Sequence, residues 1–334
     1  MEFKELGQSG IKVSAIGLGT WQWGSREWGW GQQYGRTEVL TAFQKALELG
    51  INFIDTAEVY GGGKSEQLIG EAIKGHREEV IIATKVWPSN LTSGRLIRAA
   101  DRSARRLGID TIDLYQIHWP NPMLSIRNTM NTMKKLVQLG KVRAVGVSNF
   151  NLGKMKAVQD ALSPIDLASN QVKYNLIDRK IEADLLPYAQ RSHVTIIAHT
   201  PLARSLLTGK YTAQNKPTSL VQAATPRFSP RNLSRMSALQ QTLSSIATAH
   251  NKTIAQVALN WLISKENVVA IPGTKTPENI ANSAEAAGWR LSENENVAIE
   301  SAASGMTYDH LSGIPSLLRA IIREIIPAKL SGAN

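Results

Sequence analysis

The sequence predicts a (β/α)8 barrel of the α/β class, with an N-terminal β-hairpin and a C-terminal helical extension. Three observations carry that prediction. Short apolar runs alternate with longer stretches whose apolar residues recur at helical spacing. The alternation is strict, so the strands run parallel with right-handed crossovers. Eight strand-then-helix units fit within the 334 residues, and eight close on themselves. An open doubly wound sheet would need a glycine-rich dinucleotide turn after its first strand. Gly17-Leu18-Gly19-Thr20-Trp21-Gln22 lacks the final glycine and runs into a tryptophan-rich loop. No linker and no repeat of fixed sequence period is visible, so residues 1–334 read as one domain with a tail over 305–334.

The elements follow in order. Residues 1–14 hold two short alternating runs around Gly7 and Gly10, a hairpin lid. Ala15–Gly19 is a buried strand ending at Thr20-Trp21. A helix over Arg36–Leu49 shows Val39, Leu40, Phe43, Ala46 and Leu47 on one face, and Gly50 stops it. Strands over Asn52–Asp55, Val80–Lys85, Ile112–His118, Val142–Val147, Leu167–Gln171, Val194–Ala198 and Val268–Ile271 come next. Between them lie helices over Ser65–Lys74, Thr92–Leu107, Ser125–Leu139, Leu152–Gln159 and Lys180–Arg191. A polar insert over Tyr211–Ser234 precedes helices at Leu239–His250 and Ile254–Ser264, and a further helix begins at Pro277. In the tail, Leu317–Ile326 has helical apolar spacing, which reads as a closing helix in preference to a membrane-surface or partner-docking one.

Composition narrows the function classes. Hydrophobic content of 43% is enough for a sizeable core. The absence of cysteine excludes disulfides, thiolate metal sites and a cysteine nucleophile, and suits a reducing compartment. Met-Glu-Phe-Lys-Glu-Leu is not a signal peptide, and no window approaches ~18 unbroken apolar residues, so a cytoplasmic protein without a membrane span is expected. The net charge of +11 is spread out, with no dense basic run. That suits an anionic cofactor better than nucleic acid.

Side chains at the C-terminal strand ends of such a barrel share one pocket. Those ends are Thr20, Asp55, Lys85, His118, Ser148-Asn149, Gln171, His199-Thr200 and Gly273, nearly all polar or ionisable. Tyr60 follows Asp55 by five positions and precedes Gly61, Gly62 and Gly63. A phenol titrates near ~10, and a nearby ammonium lowers that value, so Lys85 beside Tyr60 makes a working acid with Asp55 as counter-charge. His118 can orient a carbonyl oxygen. Taken singly, Asp55 could be a cap or a salt-bridge partner and His118 a satisfied core residue; their convergence favours chemistry. No nucleophile has a paired base and no metal-ligand spacing occurs, so hydride addition from a cofactor is the fitting partner step. Trp21, Trp23, Trp28 and Trp30 either wall an apolar pocket or anchor their own loop. Trp87 and Trp119, just past strand ends, are the better pocket walls.

Asn52-Phe-Ile-Asp-Thr-Ala-Glu-Val-Tyr-Gly61, Ala83-Thr-Lys85, Asp113-Leu-Tyr-Gln-Ile-His-Trp-Pro120, Gly146-Val-Ser-Asn-Phe150, Pro201-Leu-Ala-Arg204 with Leu207-Thr-Gly209, and Ile271-Pro-Gly-Thr-Lys275 together resemble the aldo-keto reductase superfamily. The order of the motifs is the family's, and the branch most resembled is that of potassium-channel β subunits and bacterial and plant aldo-keto reductases. The resemblance implies NADPH-dependent reduction of a small carbonyl substrate, with Asp55, Tyr60, Lys85 and His118 as catalytic tetrad and Tyr60 as general acid. It implies Ser148, Asn149 and Gln171 on the nicotinamide amide and Thr20 and Trp21 at the nicotinamide end. Thr200, Pro201, Leu202, Ala203 and Arg204, with Lys210, would wrap the pyrophosphate, and Arg227 would close over the cofactor. Gly273, Thr274, Lys275, Asn279, Asn282 and Ser283 would take the adenosine end. Two departures stand out: His199 replaces the usual aromatic that stacks on nicotinamide, and Asn279 replaces a frequent arginine for the 2′-phosphate, leaving Lys275, Lys210 and Arg227. The alternative is a cofactor-binding regulatory subunit with vestigial turnover.

Overall fold

The computed structural model describes residues 1–212, 215 and 226–304. The hairpin is β1 (Phe3–Glu5) paired antiparallel with β2 (Lys12–Ser14). Eight parallel strands follow: β3 (Leu18–Gly19), β4 (Phe53–Asp55), β5 (Ile81–Val86), β6 (Ile112–Ile117), β7 (Val142–Ser148), β8 (Leu167–Lys173), β9 (Thr195–His199) and β10 (Val268–Ile271). Each pairs with the next in sequence, and the parallel bridges Ile16–Ala270 and Gly19–Gly273 join the last to the first, closing the (β/α)8 barrel.

The helices between strands are α1 (Arg36–Glu48), α2 (Lys64–Ala72), α3 (Ser93–Leu107), α4 (Ile126–Gln138), α5 (Leu152–Leu162) and α6 (Leu185–Arg191). Their ends obey local chemistry. The Ser125 hydroxyl and the Asn151 amide oxygen accept the N–H of Asn128 and Lys154, capping α4 and α5. After these come α7 (Pro230–Arg235), α8 (Ser237–Ala249), α9 (Ile254–Ile263), α10 (Pro277–Ala284) and α11 (Glu293–Ala303).

Three differences from the sequence reading have local causes. The helix expected over Lys180–Arg191 is a 3-10 turn, Lys180–Ala183, then α6, because the Asp184 side chain caps Leu185 and restarts the helix. The expected polar insert contains α7, started by Ser229 and Pro230. α11 was not expected, although Ser292 and Glu295 form a capping box at its start. Leu317–Ile326 lies outside the described residues.

Contacts group the described residues into two compact units, one from Met1–Pro201 with Ala258–Arg290, the other from within Leu202–Val257 with 291–304. The first unit holds every described strand. Its core runs to the N-terminal end of the barrel, where Leu6, Ile11 and Val13 of the hairpin pack on Phe53, Ala83, Leu114, Ala168, Ile197 and Val269. The hairpin is thus the barrel's floor. Gly7, at φ +61°, lies so close to β8 that a Cβ would come within 2.7 Å of the Ala168 carbonyl oxygen. The Gly7 N–H donates to Thr195 Oγ1 at 2.8 Å. Lys4 Nζ donates to the carbonyls of Ile263, Lys265 and Val268 at 2.6, 2.7 and 2.9 Å. In the second unit, α8 packs along α11, with His250 Nε2 2.7 Å from Glu295 Oε1.

Candidate active site

Strand register brings the predicted residues to one rim. Asp55 pairs with Gly19 and Ala83, Lys85 with Gln116, and Ser148 with Gln171, all at C-terminal strand ends. Lys85 is fully buried. Its Nζ donates to Asp55 Oδ1 at 2.7 Å, to the Thr56 carbonyl at 2.8 Å and to the Tyr60 hydroxyl at 3.2 Å, which uses all three ammonium protons. Asp55 Oδ2 accepts from Gln171 Nε2 at 2.7 Å and from Gln116 Nε2 at 3.4 Å. Burial alone would lower the Lys85 ammonium, but Asp55 and then Tyr60 raise it above its ordinary value, so it stays charged.

Tyr60 opens a tight turn, Tyr60–Gly63. Gly61, Gly62 and Gly63 all take positive φ, and a Cβ on Gly61 would come within 2.8 Å of the Gly24 backbone. The three glycines therefore let this loop double back against the loop after β3. One sequence expectation is corrected here. Lys85 does pull the Tyr60 hydroxyl down, but burial pushes it up more strongly and Asp55 adds to that, so its net shift is upward. Burial is not legible in a strand-end pattern. An acid that holds its proton at neutral pH is still a competent donor, because it gives the proton up only as charge builds on the acceptor.

His118 follows β6, with its ring edge-on to Tyr60 at 5.7 Å and to Trp87 at 5.2 Å. Burial, with the nearby Lys85 and His199, lowers its pKa to about 3, so the imidazole is neutral. Its Nδ1 is buried with no hydrogen-bond partner among the described residues. Asn149, at φ +63°, donates from Nδ2 to the His118 carbonyl at 3.1 Å and to Ser148 Oγ at 2.9 Å. Ser148 Oγ donates to the Gln171 carbonyl at 2.9 Å. His199 Nε2 lies 3.2 Å from Asn149 Oδ1 and its Nδ1 lies 3.0 Å from Thr200 Oγ1. These side chains form one network, as their strand-end positions implied.

Thr20 sits deeper than expected: it is fully buried, and its hydroxyl donates to the Asp55 carbonyl at 2.8 Å. The tryptophan loop divides. Trp23 is fully buried and its Nε1 donates to the Thr274 carbonyl at 3.0 Å, so it anchors the loop. Trp21 stays exposed, edge-on to Trp28 at 5.1 Å and 6.4 Å from the Tyr60 ring. Lys275 Nζ donates to the Trp28 carbonyl at 2.6 Å and lies 4.6 Å from the Tyr34 ring. Gly273 leaves no room for a Cβ, which would clash with the Gln22 side chain. Asn279, Asn282 and Ser283 share α10, where Ser283 Oγ donates to the Asn279 carbonyl at 2.9 Å. Trp87 touches His118, whereas Trp119 is exposed and makes no ring contact with that group among the described residues.

In the second unit, Ala203, Arg204 and Ser205 are left-handed in succession, at φ +49°, +57° and +73°. Three such non-glycine residues in a row are costly and are kept where the backbone has a job. Partial burial, then the Arg227 charge, lowers the Arg204 guanidinium, so two cations are held near each other. Lys210 Nζ lies 5.4 Å from the Tyr211 ring.

Two residues at the rim escaped the sequence reading. Gln116, fully buried, reaches Asp55, and its alternation with Leu114 and His118 along β6 was the available signal. Glu58 accepts the Trp87 N–H at 2.7 Å, a contact that spacing does not reveal.

A buried ammonium and carboxylate thus meet the Tyr60 phenol at the mouth of a parallel barrel. Residues 15–304 match the sequence pattern of the Aldo/keto reductase family, and the chain belongs to that family. It is 42% identical over 301 residues to an uncharacterised oxidoreductase of Mycobacterium tuberculosis, covering 90% of this chain and 93% of that one. It is 35% identical over 316 residues to the chloroplastic pyridoxal reductase of Arabidopsis thaliana, covering 88% and 84%. It is 34% identical over 303 residues to the methylglyoxal reductase YeaE of Escherichia coli, covering 90% and 95%. Among solved structures, a thermostable aldo-keto reductase in complex with the inhibitor epalrestat aligns with TM-score 0.75 at 36% identity, covering 90% and 100%. An aldo-keto reductase of Klebsiella pneumoniae in complex with NADPH aligns with TM-score 0.75 at 30% identity, covering 92% and 99%. No described helix is long and apolar enough to cross a membrane.

Proposed function

We propose that this protein reduces aldehydes and ketones to alcohols with NADPH, and that Tyr60 is the general acid. The observation that carries the reading is the Lys85 ammonium, shared between Asp55 Oδ1 and the Tyr60 hydroxyl in a fully buried position. The named activities of the pyridoxal and methylglyoxal reductases, and the Klebsiella complex with NADPH, support it.

Within the first unit the donors fit a nicotinamide amide. Ser148, Asn149 and Gln171 gather amide and hydroxyl groups at adjoining strand ends, as a carboxamide requires. Within the second unit, the left-handed run Ala203–Ser205 and the Arg227 charge near a partly buried Arg204 suit a diphosphate. Lys275 is engaged with the Trp28 carbonyl, so Arg204, Arg227 and Lys210 are the better candidates for the cofactor phosphates, and NADPH is favoured over NADH. Pro201 and Leu202 are proposed beside them from the family resemblance.

When bound, the reduced nicotinamide supplies the hydride to the carbonyl carbon. The chain's own residues handle the proton. Tyr60 gives its hydroxyl proton to the carbonyl oxygen as negative charge develops there. Lys85 stabilises the phenolate left behind, and Asp55, fixed by Gln171 and Gln116, keeps Lys85 charged and aimed. Neutral His118 orients the oxygen without competing for the proton. The intact tetrad favours turnover over a vestigial sensor.

A carbonyl panel followed by NADPH absorbance tests this. Tyr60→Phe should lower kcat by roughly 10²–10⁴-fold, the range of general acid catalysis, with cofactor affinity kept. Full activity in Tyr60→Phe would sink the assignment.

A further inference from the structure

We propose that Glu58 is a positioning residue that fixes Trp87 as one wall of a preset aromatic slot, and that this slot selects flat aromatic aldehydes over small aliphatic ones. This deepens the reductase reading and rests on it.

Glu58 lies between Asp55 and Tyr60 in sequence and ties their loop both to the end of β5 and to the loop after it. Its N–H donates to the Lys85 carbonyl at 3.1 Å. Its Oε1 accepts the Trp87 N–H at 2.7 Å and Asn90 Nδ2 at 2.9 Å. The carboxylate is 8% exposed, and Arg102 of α3 stands 3.7 Å from Oε2. The same turn is held from its other side, where the Pro88 carbonyl accepts from Asn121 Nδ2 at 3.1 Å. Oε1 is therefore spent on the 87–90 turn, and neither carboxylate oxygen bonds to Tyr60, Lys85 or His118. Glu58 can act on the reaction only through what it holds.

What it holds is the end of an unbroken row of rings. Trp87 meets His118 edge-on at 5.2 Å and 89°, His118 meets Tyr60 at 5.7 Å and 80°, and Trp21 lies 6.4 Å from Tyr60, tilted by 36°. Trp21 and Trp87 are 37% and 39% exposed. Large flat rings left open to solvent beside a proton donor mark a surface shaped for a ligand. Rigid flat walls reward a planar π system and gain little from a short alkyl chain. A wall held by a nearly buried carboxylate on a backbone N–H does not collapse inward to grip a smaller guest.

Steady-state kinetics with NADPH decide it, using 2-naphthaldehyde and propionaldehyde as substrates. The wild type should favour 2-naphthaldehyde in kcat/KM by on the order of tenfold or more, the scale of apolar pocket discrimination. E58A should raise KM for 2-naphthaldehyde by about tenfold while kcat, its pH profile and propionaldehyde turnover hold within about twofold. E58Q should restore that KM, because an amide oxygen still accepts the Trp87 N–H. W87A should raise KM for 2-naphthaldehyde by as much as E58A, and the double variant should be no worse than W87A, since both act through one wall. If E58A yields no folded protein, N90A, which frees one side of the same carboxylate, should raise that KM by a smaller factor. No wild-type preference, an equal fall in kcat for both aldehydes, an unchanged KM in the variants, or additive effects in the double variant would each overturn the inference while leaving the reductase reading standing. No wild-type turnover of any carbonyl overturns that reading, and this inference with it.

Discussion

The two ends of the barrel are built from opposite materials. At the floor, Leu6, Ile11 and Val13 are at most 3% exposed and pack on aliphatic and aromatic side chains from the strands. At the mouth, an ammonium and a carboxylate are buried while Trp21 and Trp87 are open to solvent. The floor follows the usual rule of apolar inside and polar outside; the mouth reverses it. Burying Lys85 and Asp55 is tolerable only because each charge has a partner and further hydrogen bonds. The difference teaches that this fold keeps its stability at one end and its chemistry at the other.

That separation can be broken or sharpened by experiment. The largest effect is expected from Tyr60→Phe: a loss of roughly 10²–10⁴-fold in kcat with only the small fall in melting temperature that losing one Lys85 hydrogen bond brings, since no packing is removed. A large fall in melting temperature would show that the mouth carries stability too. At the floor, Leu6→Ala should lower unfolding free energy by about 2–5 kcal/mol, the range for emptying a well-packed apolar site. Its kcat per folded molecule should equal the wild type's, and a drop would join the two ends.

The pH response comes next in size. His118 is neutral in the fold, with a pKa near 3 against 6.5 in the unfolded chain, so the unfolded state binds a proton that the native state does not. Its contribution is fully present above pH 6.5 and is lost as pH falls toward 3, by about 2 kcal/mol at pH 5. Urea unfolding of wild type and His118→Asn should show a gap that narrows across that window; parallel curves would refute it. Because Tyr60 shifts upward, reduction should hold across neutral pH and decline only as the medium becomes strongly alkaline. The smallest effect is Gly7→Ala, about 1–3 kcal/mol by melting, because a left-handed φ and the Ala168 carbonyl leave no place for a methyl group. A neutral result would mean that the hairpin tip can lift.

Much of this was legible in the sequence. Each strand of the barrel was visible as an apolar run, nearly all of them ending on a polar residue, and Asp55, Lys85, His118, Ser148 and Gln171 came together because strand ends of one barrel share a rim. Other features were hidden for physical reasons. The run of left-handed residues at Ala203–Ser205 contains no glycine to announce it. The partition of the tryptophan loop into a buried Trp23 and an exposed Trp21 has no period to read. The direction of the Tyr60 shift depends on burial, which a pairwise reading of neighbouring charges leaves out. Glu58 looked like one more loop acid because its partner is a backbone N–H, which every residue except proline possesses.

The floor also sets an order of events during synthesis. Gly7 finds its hydroxyl partner 188 positions downstream, and the farthest carbonyl gripped by Lys4 lies 264 positions downstream. Residues 4–7 therefore leave the ribosome long before anything exists for them to hold, and the plug can lock only after Val268 has emerged. The segment made early is the one that seats late, so a slowly assembling cylinder stays open at its base, with Phe53 and Leu114 accessible, until translation has passed the last strand.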